Sequence, residues 1–313
     1  MTEDANAYGD ADVDRAVRIA AFAFLAALKR KHGETVPRTA LAEGFDYAGR
    51  RVPVVGPQGI FKPAVLAVPL SITTVPVVPG RARPYEDEMG PDGTLTYRYR
   101  GTNPDHPDNQ GLRTAMVRQA PLVYLYGITP GRYLPVWPVF VVGEERSSQS
   151  FRVAVDTAET AIDLDPNRPA TVSEIRRRYV TAQVHVRVHQ VAFRERVLAA
   201  YREQCAVCRL RHAELLDAAH ILPDGHPLGE PTVPNGLALC KLHHAAFDRH
   251  ILGVRPDLVV EIREDILREE DGPMLRHGLQ GFQGVRIRVP RPDDLRPSTA
   301  FLAERYELFR KTC

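Results

Sequence analysis

Four residues in the C-terminal third have the types and spacing of a metal site. Cys205 and Cys208 form a Cys-x-x-Cys knuckle, and after 31 intervening residues Cys240 and His243 form a Cys-x-x-His knuckle. Together they offer four sulfur and nitrogen donors, the number that closes one tetrahedral structural zinc site. The same stretch, CAVCRLRHAELLDAAHILPDGHPLGEPTVPNGLALCKLHHAAFDRHI, also carries His220, Asn235, His244 and Asp248, which the zinc does not need. His244 and Asp248 are four apart and share one face if the segment after Cys240 is helical. That polar surplus is the candidate for chemistry.

Cysteine usage and composition bound the rest. Three of the four cysteines sit in this stretch and the fourth, Cys313, is the final residue, read as an ordinary thiol. This is metal usage in a reducing compartment and not a disulfide framework. With 313 residues, 44% hydrophobic and 26% charged, the chain is of the soluble globular class and long enough for two domains. A net charge of +2 allows nucleic acid as a partner without requiring it. The sum hides local clusters such as Arg176, Arg177 and Arg178, followed by Arg187, Arg194 and Arg196. No run reaches the roughly 18 apolar residues of a membrane span, and the acidic N-terminus lacks a basic-then-apolar signal layout. The expectation is a cytoplasmic protein.

Periodicity gives the elements that must position these residues. Residues 13–31 have helical spacing and end in basic residues before Gly33, as a helix C-terminus favours. Over residues 44–79, short Val/Ile/Leu runs broken by Pro and Gly read as strands and turns. Residues 94–100 alternate, with Leu95, Tyr97 and Tyr99 on one side. A polar, turn-rich loop, GTNPDHPDNQG, precedes the strands PLVYLYGI, LPVWPVFVV and SFRVAVD. The segment DPNRP marks a boundary, and residues 171–201 read as a helix with Phe193, Val197 and Leu198 as its apolar stripe. Farther on, residues 258–264 and 284–289 read as strands and residues 298–311 as a closing helix. The expected organisation is a helical segment 1–43, a β-rich domain 44–165, a helical connector 166–200 and a metal-bearing domain 201–313.

The order of His in AAHILP, Asn in PNGLALC and His in CKLHHAAFD resembles the HNH nucleases. Their ββα-metal fold is a hairpin followed by a helix, and a structural zinc on two such knuckles is common among them. Phosphodiester hydrolysis needs an attacking water, a base with a pKa near neutrality, and a cation at the scissile phosphate and leaving oxygen. The resemblance implies that His220 is the general base, at a strand end before the loop 223–234, and its pKa range suits the task. It places Asn235 at the family's middle position, orienting the base or the loop through its amide. It implies that His244 holds a catalytic divalent ion, Mg²⁺ or Mn²⁺, with Asp248 one turn on as a second ligand. Many members carry an Asp ligand immediately before the base, where this chain has Ala219. Asp217, two residues earlier on the same strand face, either substitutes for it or is structural. The knuckles taken alone favour a purely structural zinc finger; His220, Asn235, His244 and Asp248 at family spacing reverse this in favour of the nuclease. His212, His226 and His250 match no motif position and read as solvated surface histidines.

A second resemblance lies upstream. Tyr85 and Tyr97 are twelve apart and bracket the acidic cluster of Asp87 and Glu88. This is similar to the SRA domains, whose pocket takes a flipped 5-methylcytosine between two aromatic rings while a carboxylate accepts from the exocyclic amine. The similarity assigns Tyr85 and Tyr97 to stacking and Glu88 to the carboxylate, with Asp87 the neighbouring candidate. DNQGLRTA resembles the family's Asp-Gln-x-Leu segment, whereas its Tyr-Asp-Gly signature is absent from GRYLPVWPVFVV. Extruding a base costs a few kcal/mol, recovered by stacking and by hydrogen bonds to the Watson–Crick edge.

Taken together, the resemblances imply an α+β chain with an N-terminal SRA/PUA-like β-rich barrel and a C-terminal zinc-stabilised ββα-metal HNH domain. The implied activity is that of a modification-dependent, type IV-like restriction endonuclease. It would hydrolyse phosphodiester bonds of double-stranded DNA containing 5-methylcytosine or 5-hydroxymethylcytosine. One nuclease site cuts one strand, so a double-strand break implies a homodimer. Two alternatives stand beside this: an HNH endonuclease reading a phosphorothioate backbone or acting on unmodified DNA, and a non-catalytic zinc-dependent DNA-binding protein.

Overall fold

β-Branched and aromatic runs build the sheet that dominates the N-terminal half. The computed structural model describes the backbone of residues 4–76, 94–156 and 170–312, with side chains described from residue 12 and, in the last stretch, from residue 180. Tyr85, Asp87, Glu88, the DPNRP boundary and Cys313 lie outside the described residues. The chain divides into two units, Met1–Val188 and His189–Cys313, and the division falls within the helix Ala170–Ala200.

In the first unit the strands are β1 (Val36–Pro37), β2 (Phe45–Tyr47), β3 (Arg50–Val52), β4 (Ile60–Phe61), β5 (Ser71–Thr73), β6 (Leu95–Arg98), β7 (Leu122–Thr129), β8 (Arg132–Glu145) and β9 (Ser150–Val155). Seven of them form one sheet in the order β4-β5-β7-β8-β9-β6, with β1 added on β8, while β2 and β3 pair separately. Only β5 and β7 run parallel among the described pairs. β7 is buried along its length up to Ile128, as a strand covered on both faces must be. The sheet curls into a half-barrel: Tyr97 of β6 donates from Oη to the Thr73 carbonyl of β5, 3.4 Å away, although these strands lie near opposite ends of the sheet order. A cavity of about 180 Å³ lies there, lined by Gly59, Ile60, Thr73, Tyr97, Tyr99 and Arg100 among others.

The first helix, Asp4–His32, starts nine residues before the apolar periodicity does. Its Val17, Ala21 and Leu25 enter the core beside Val36, Leu41 and Val123. Arg18 is buried with them because its guanidinium has partners: Asp14, and the carbonyls of Pro69 and Pro121 at 3.1 and 2.8 Å.

The segment expected as a polar loop becomes, from Pro107, a helix, Pro107–Val117. His106 caps it, Nδ1 accepting from the Asp108 amide at 3.2 Å, and proline suits a first helical turn. Fully buried Asn109 accepts from the Arg100 amide and donates to the carbonyls of Arg100 and Asn103. Polarity that resembles solvent exposure here serves capping and loop closure.

The second unit holds the hairpin β10 (Leu216–His220) and β11 (Gly236–Cys240), the helix Lys241–Asp248, the pair β12 (Leu252–Val254) and β13 (Val260–Ile262), and the closing helix Thr299–Arg310. Phe193, Val197 and Leu198 form part of its core with Leu216, Leu237, Leu239 and Phe247, as the stripe predicts. The closing helix is capped by Ser298, whose Oγ accepts from the Phe301 amide. Residues 284–289 do not form the expected strand: the only bridge described there joins Val259 and Arg286, and Pro290 and Pro292 stop the ladder. The architecture is α+β with a half-barrel sheet. Among the described residues no helix is long and apolar enough to cross a membrane.

Candidate functional site

The two knuckles meet. The ligand atoms of Cys205, Cys208, Cys240 and His243 all lie within 4.8 Å of one another, and no other described group converges in this way. Cys208 and Cys240 sulfurs are 3.8 Å apart, and His243 Nδ1 is 3.1 and 3.5 Å from the sulfurs of Cys240 and Cys205. Zinc–sulfur bonds of ~2.3 Å give a tetrahedral edge of about 3.8 Å, so the set fits a structural zinc. His243 Nε2 is 2.9 Å from the Gly278 carbonyl; donating there leaves Nδ1 free as the donor to a metal. Hydrogen bonds from Cys208 and Cys240 pull the Cys205 thiol well below its ordinary value, while the same cluster pushes Cys208 up. The first knuckle is shaped by a turn in which Arg209 takes a φ of 66° and the Cys205 amide bonds to the Leu210 carbonyl. The Ala206 amide then ties it to Ala238 on β11.

The hairpin register pairs His220 with Gly236 and Leu216 with Cys240, so a single pairing sets both the candidate base and a zinc ligand. The absence of a side chain at Gly236 is required: a Cβ there would lie 2.5 Å from Val197 and 3.0 Å from Phe193. That close approach lets the Phe193 ring stack on His220, centroids 4.0 Å apart and planes 18° from parallel. His220 Nε2 is buried without a hydrogen-bond partner. Burial holds the ring below the ordinary imidazole value; Asp224 and Asp248 oppose this and His244 reinforces it. An imidazole poised this way stays neutral, and able to accept a proton, to lower pH. Phe193→Leu should relieve the desolvation and raise the titration of His220, moving the acid limb of any His220-dependent reaction to higher pH. A pH–rate profile beside an NMR titration of His220 checks this, and an unmoved or lowered limb contradicts it.

Asn235 is fully buried, and its amide is committed to the loop. Oδ1 accepts from the Leu222 amide at 2.9 Å, and Nδ2 donates to the carbonyls of Leu222 and Glu230 at 3.1 and 3.0 Å. Of the two roles expected for it, these bonds serve the loop.

His244 sits between two carboxylates. Nδ1 is 3.4 Å from Asp217 Oδ2, and Nε2 is 3.3 Å from Asp248 Oδ2, so the acids occupy opposite edges of the ring. Asp217 Oδ2 also accepts from Lys241 Nζ at 2.6 Å, and Arg194 Nε lies 3.8 Å from Oδ1. Partial burial would raise the Asp217 carboxyl, but hydrogen bonds from Lys241 and His244 hold it below the usual carboxylate range. Asp248 is joined from the closing helix by Arg305, 4.0 Å from Oδ1. The Arg305 guanidinium also stacks 4.8 Å from the Phe247 ring and donates to the Phe247 carbonyl at 3.0 Å. Neither Phe193 nor Arg305 belongs to a sequence motif. Phe193 was legible only as core, and Arg305 lies 57 residues beyond Asp248.

His226, expected to be solvated, pairs with Glu304 of the closing helix at 2.9 Å. In the first unit, Tyr97 is 8% exposed and lines the half-barrel cavity. Tyr99 beside it meets Glu144, which Arg113 pairs at 2.7 Å.

Residues 205–255 match the family described as HNH endonuclease, so the chain carries an HNH endonuclease domain. Among solved structures, the chain is similar to one titled "Modification dependent TagI restriction endonuclease", at 17% identity and a TM-score of 0.29, covering 77% of this chain and 81% of that one. A comparison with curated proteins finds no match.

Proposed function

We propose that this protein is a modification-dependent DNA endonuclease whose HNH site hydrolyses phosphodiester bonds of double-stranded DNA carrying 5-methylcytosine or 5-hydroxymethylcytosine. The observation that carries the nuclease part is His220. Its Nε2 is unspent, and it stands within electrostatic reach of His244 and Asp248, on a hairpin anchored by a Cys3His cluster.

His220 takes the proton of the attacking water, its ring held in orientation by Phe193. Asn235 keeps the loop 223–234 closed beside it. His244 and Asp248 are the residues we assign to a divalent cation, Mg²⁺ or Mn²⁺. Their facing atoms are 3.3 Å apart, near the ~3 Å between adjacent donors of an octahedral ion bound at about 2.1 Å. Such an ion supplies charge stabilisation at the scissile phosphate and leaving oxygen. The Cys3His set holds zinc as a scaffold only.

The modified-base reading rests on the half-barrel cavity. It is walled by Tyr97, Tyr99 and Arg100, aromatic and cationic groups of the kind that hold a planar base. The SRA resemblance assigns Tyr85, Asp87 and Glu88, which lie outside the described residues, to base binding. Cutting both strands calls for two copies of the chain, hence a homodimer. Methylated, unmodified and phosphorothioate plasmids incubated with Mg²⁺ or Mn²⁺ test the reading. Preferential cutting of the methylated plasmid, with the preference lost in Tyr97→Ala while the protein stays folded by circular dichroism, is expected. Equal cutting of methylated and unmodified DNA refutes the methyl-reading part and leaves the nuclease part standing.

A further inference from the structure

Asp217 stands at the strand position nearest to where many HNH nucleases carry a metal-ligating acid, yet its surroundings are those of a different role. We infer that Asp217 is a positioning residue and no metal ligand: it accepts the Nδ1 proton of His244, fixing the tautomer in which Nε2, the atom facing Asp248, is the free donor. The inference deepens the proposed nuclease site and rests on that reading.

Three observations converge. The first is occupancy. The Asp217 oxygen that faces His244 is the same Oδ2 that accepts the Lys241 ammonium at 2.6 Å, with the Arg194 guanidinium 3.8 Å from its other oxygen. A divalent ion bound there would share an oxygen with one cation and lie close to another, which Coulomb repulsion disfavours.

The second is which edge of the ring each acid meets. Asp217 faces Nδ1 of His244 at 3.4 Å and Asp248 faces Nε2 at 3.3 Å. An ion held between Nε2 and Asp248 therefore has Asp217 on the opposite edge of the imidazole.

The third is the arrangement itself. An imidazole with a carboxylate on the nitrogen away from the metal is the usual device for fixing a ligand histidine's tautomer and ring orientation. Here the device is anchored twice. Arg194 reaches from the long helix, donates to the carbonyls of Ala213 and Leu216 at 2.8 and 2.9 Å, and so holds the start of β10 as well as its acid. Lys241 opens the helix that carries His244, so the lysine and the histidine it helps to orient move together.

The test begins with the metal-free wild-type protein. Imidazole ¹⁵N shifts of His244 are recorded at about pH 9, where an ordinary histidine is neutral. The inference predicts a protonated Nδ1 and a bare Nε2, and the reverse tautomer overturns it. Mn²⁺ affinity, followed by the electron paramagnetic resonance of the free ion, gives the second readout. Asp217→Ala should weaken binding by about 10–100-fold, the usual cost of removing such an orienting acid. Asp217→Asn keeps an acceptor oxygen and should recover most of that loss, whereas Asp248→Ala should abolish measurable binding. If Asp217→Asn loses Mn²⁺ as completely as Asp248→Ala does, Asp217 is a ligand and the inference is wrong. Failure of the underlying nuclease reading looks different: the wild-type protein would then cut no DNA with any divalent ion.

Discussion

His220→Ala is expected to abolish cleavage while leaving the protein folded. Positioned general bases are worth about 10²–10⁴ in rate, and among the described imidazoles only that of His220 has a buried nitrogen without a hydrogen-bond partner while the charges of His244 and Asp248 act on it. Stability should change little, because the substitution removes a buried polar atom that has no partner, which offsets the lost stacking on Phe193. Acid behaviour gives a second signature. Burial depresses the folded-state pKa of His220, so between the unfolded value of about 6.5 and that lowered value the unfolded chain binds more protons. Stability linked to His220 is therefore intact above that window and falls as pH drops through it. The alanine variant should be less sensitive to acid there. Gel assays of plasmid cleavage and melts across pH check both statements. A folded, fully active His220→Ala protein would remove His220 from the mechanism, and wild-type cleavage that is lost in the variant excludes the non-catalytic DNA-binding alternative.

The second large effect is on the scaffold. Cys205→Ala should cost the second unit its metal and its fold together. Structural zinc contributes on the order of 10–16 kcal/mol of apparent binding free energy, comparable to the whole stability of a typical domain. Cys205 is completely buried in the core that includes Leu216, Leu239, Cys240 and Phe247. Its loss also releases the first knuckle, which the Ala206 amide ties to β11. Elemental analysis for zinc, limited proteolysis and near-ultraviolet circular dichroism should all report the change. A soluble, zinc-free and fully active Cys205→Ala protein would contradict it.

The metal scaffold was legible in the sequence because its chemistry is local. Two-residue knuckles fix donor identity and spacing, and the structure brings the four donors together. Strands with clean alternation were legible for the same reason: Leu95, Tyr97 and Tyr99 share burial because side-chain direction in a strand has a period of two. What could not be read depends on distant pairings. Phe193 was recognisable as an apolar stripe residue, but its stacking on His220 follows from a helix approaching β11 at Gly236. Arg305 reaches Asp248 from a helix whose sequence signals only its own cap and ends. The segment around Asn109 reads as a loop in the sequence because polar side chains that close a loop and cap a helix have the composition of a solvated turn. From sequence alone Asp217 reads either as a ligand or as a structural residue. Our inference of a positioning role rests on its neighbours Lys241 and Arg194, and both come from other elements.

The most direct measurement separates the two ions. Purified protein is exhaustively dialysed against a chelator mild enough to leave structural zinc in place, then assayed on methylated plasmid with and without added Mg²⁺ or Mn²⁺, with bound zinc counted before and after. The account predicts one retained zinc per chain, no cleavage until a divalent ion is added, and full recovery once it is. Cleavage that persists with zinc alone, or activity in protein stripped of its zinc, would contradict a site built on one scaffold metal and one hydrolytic cation.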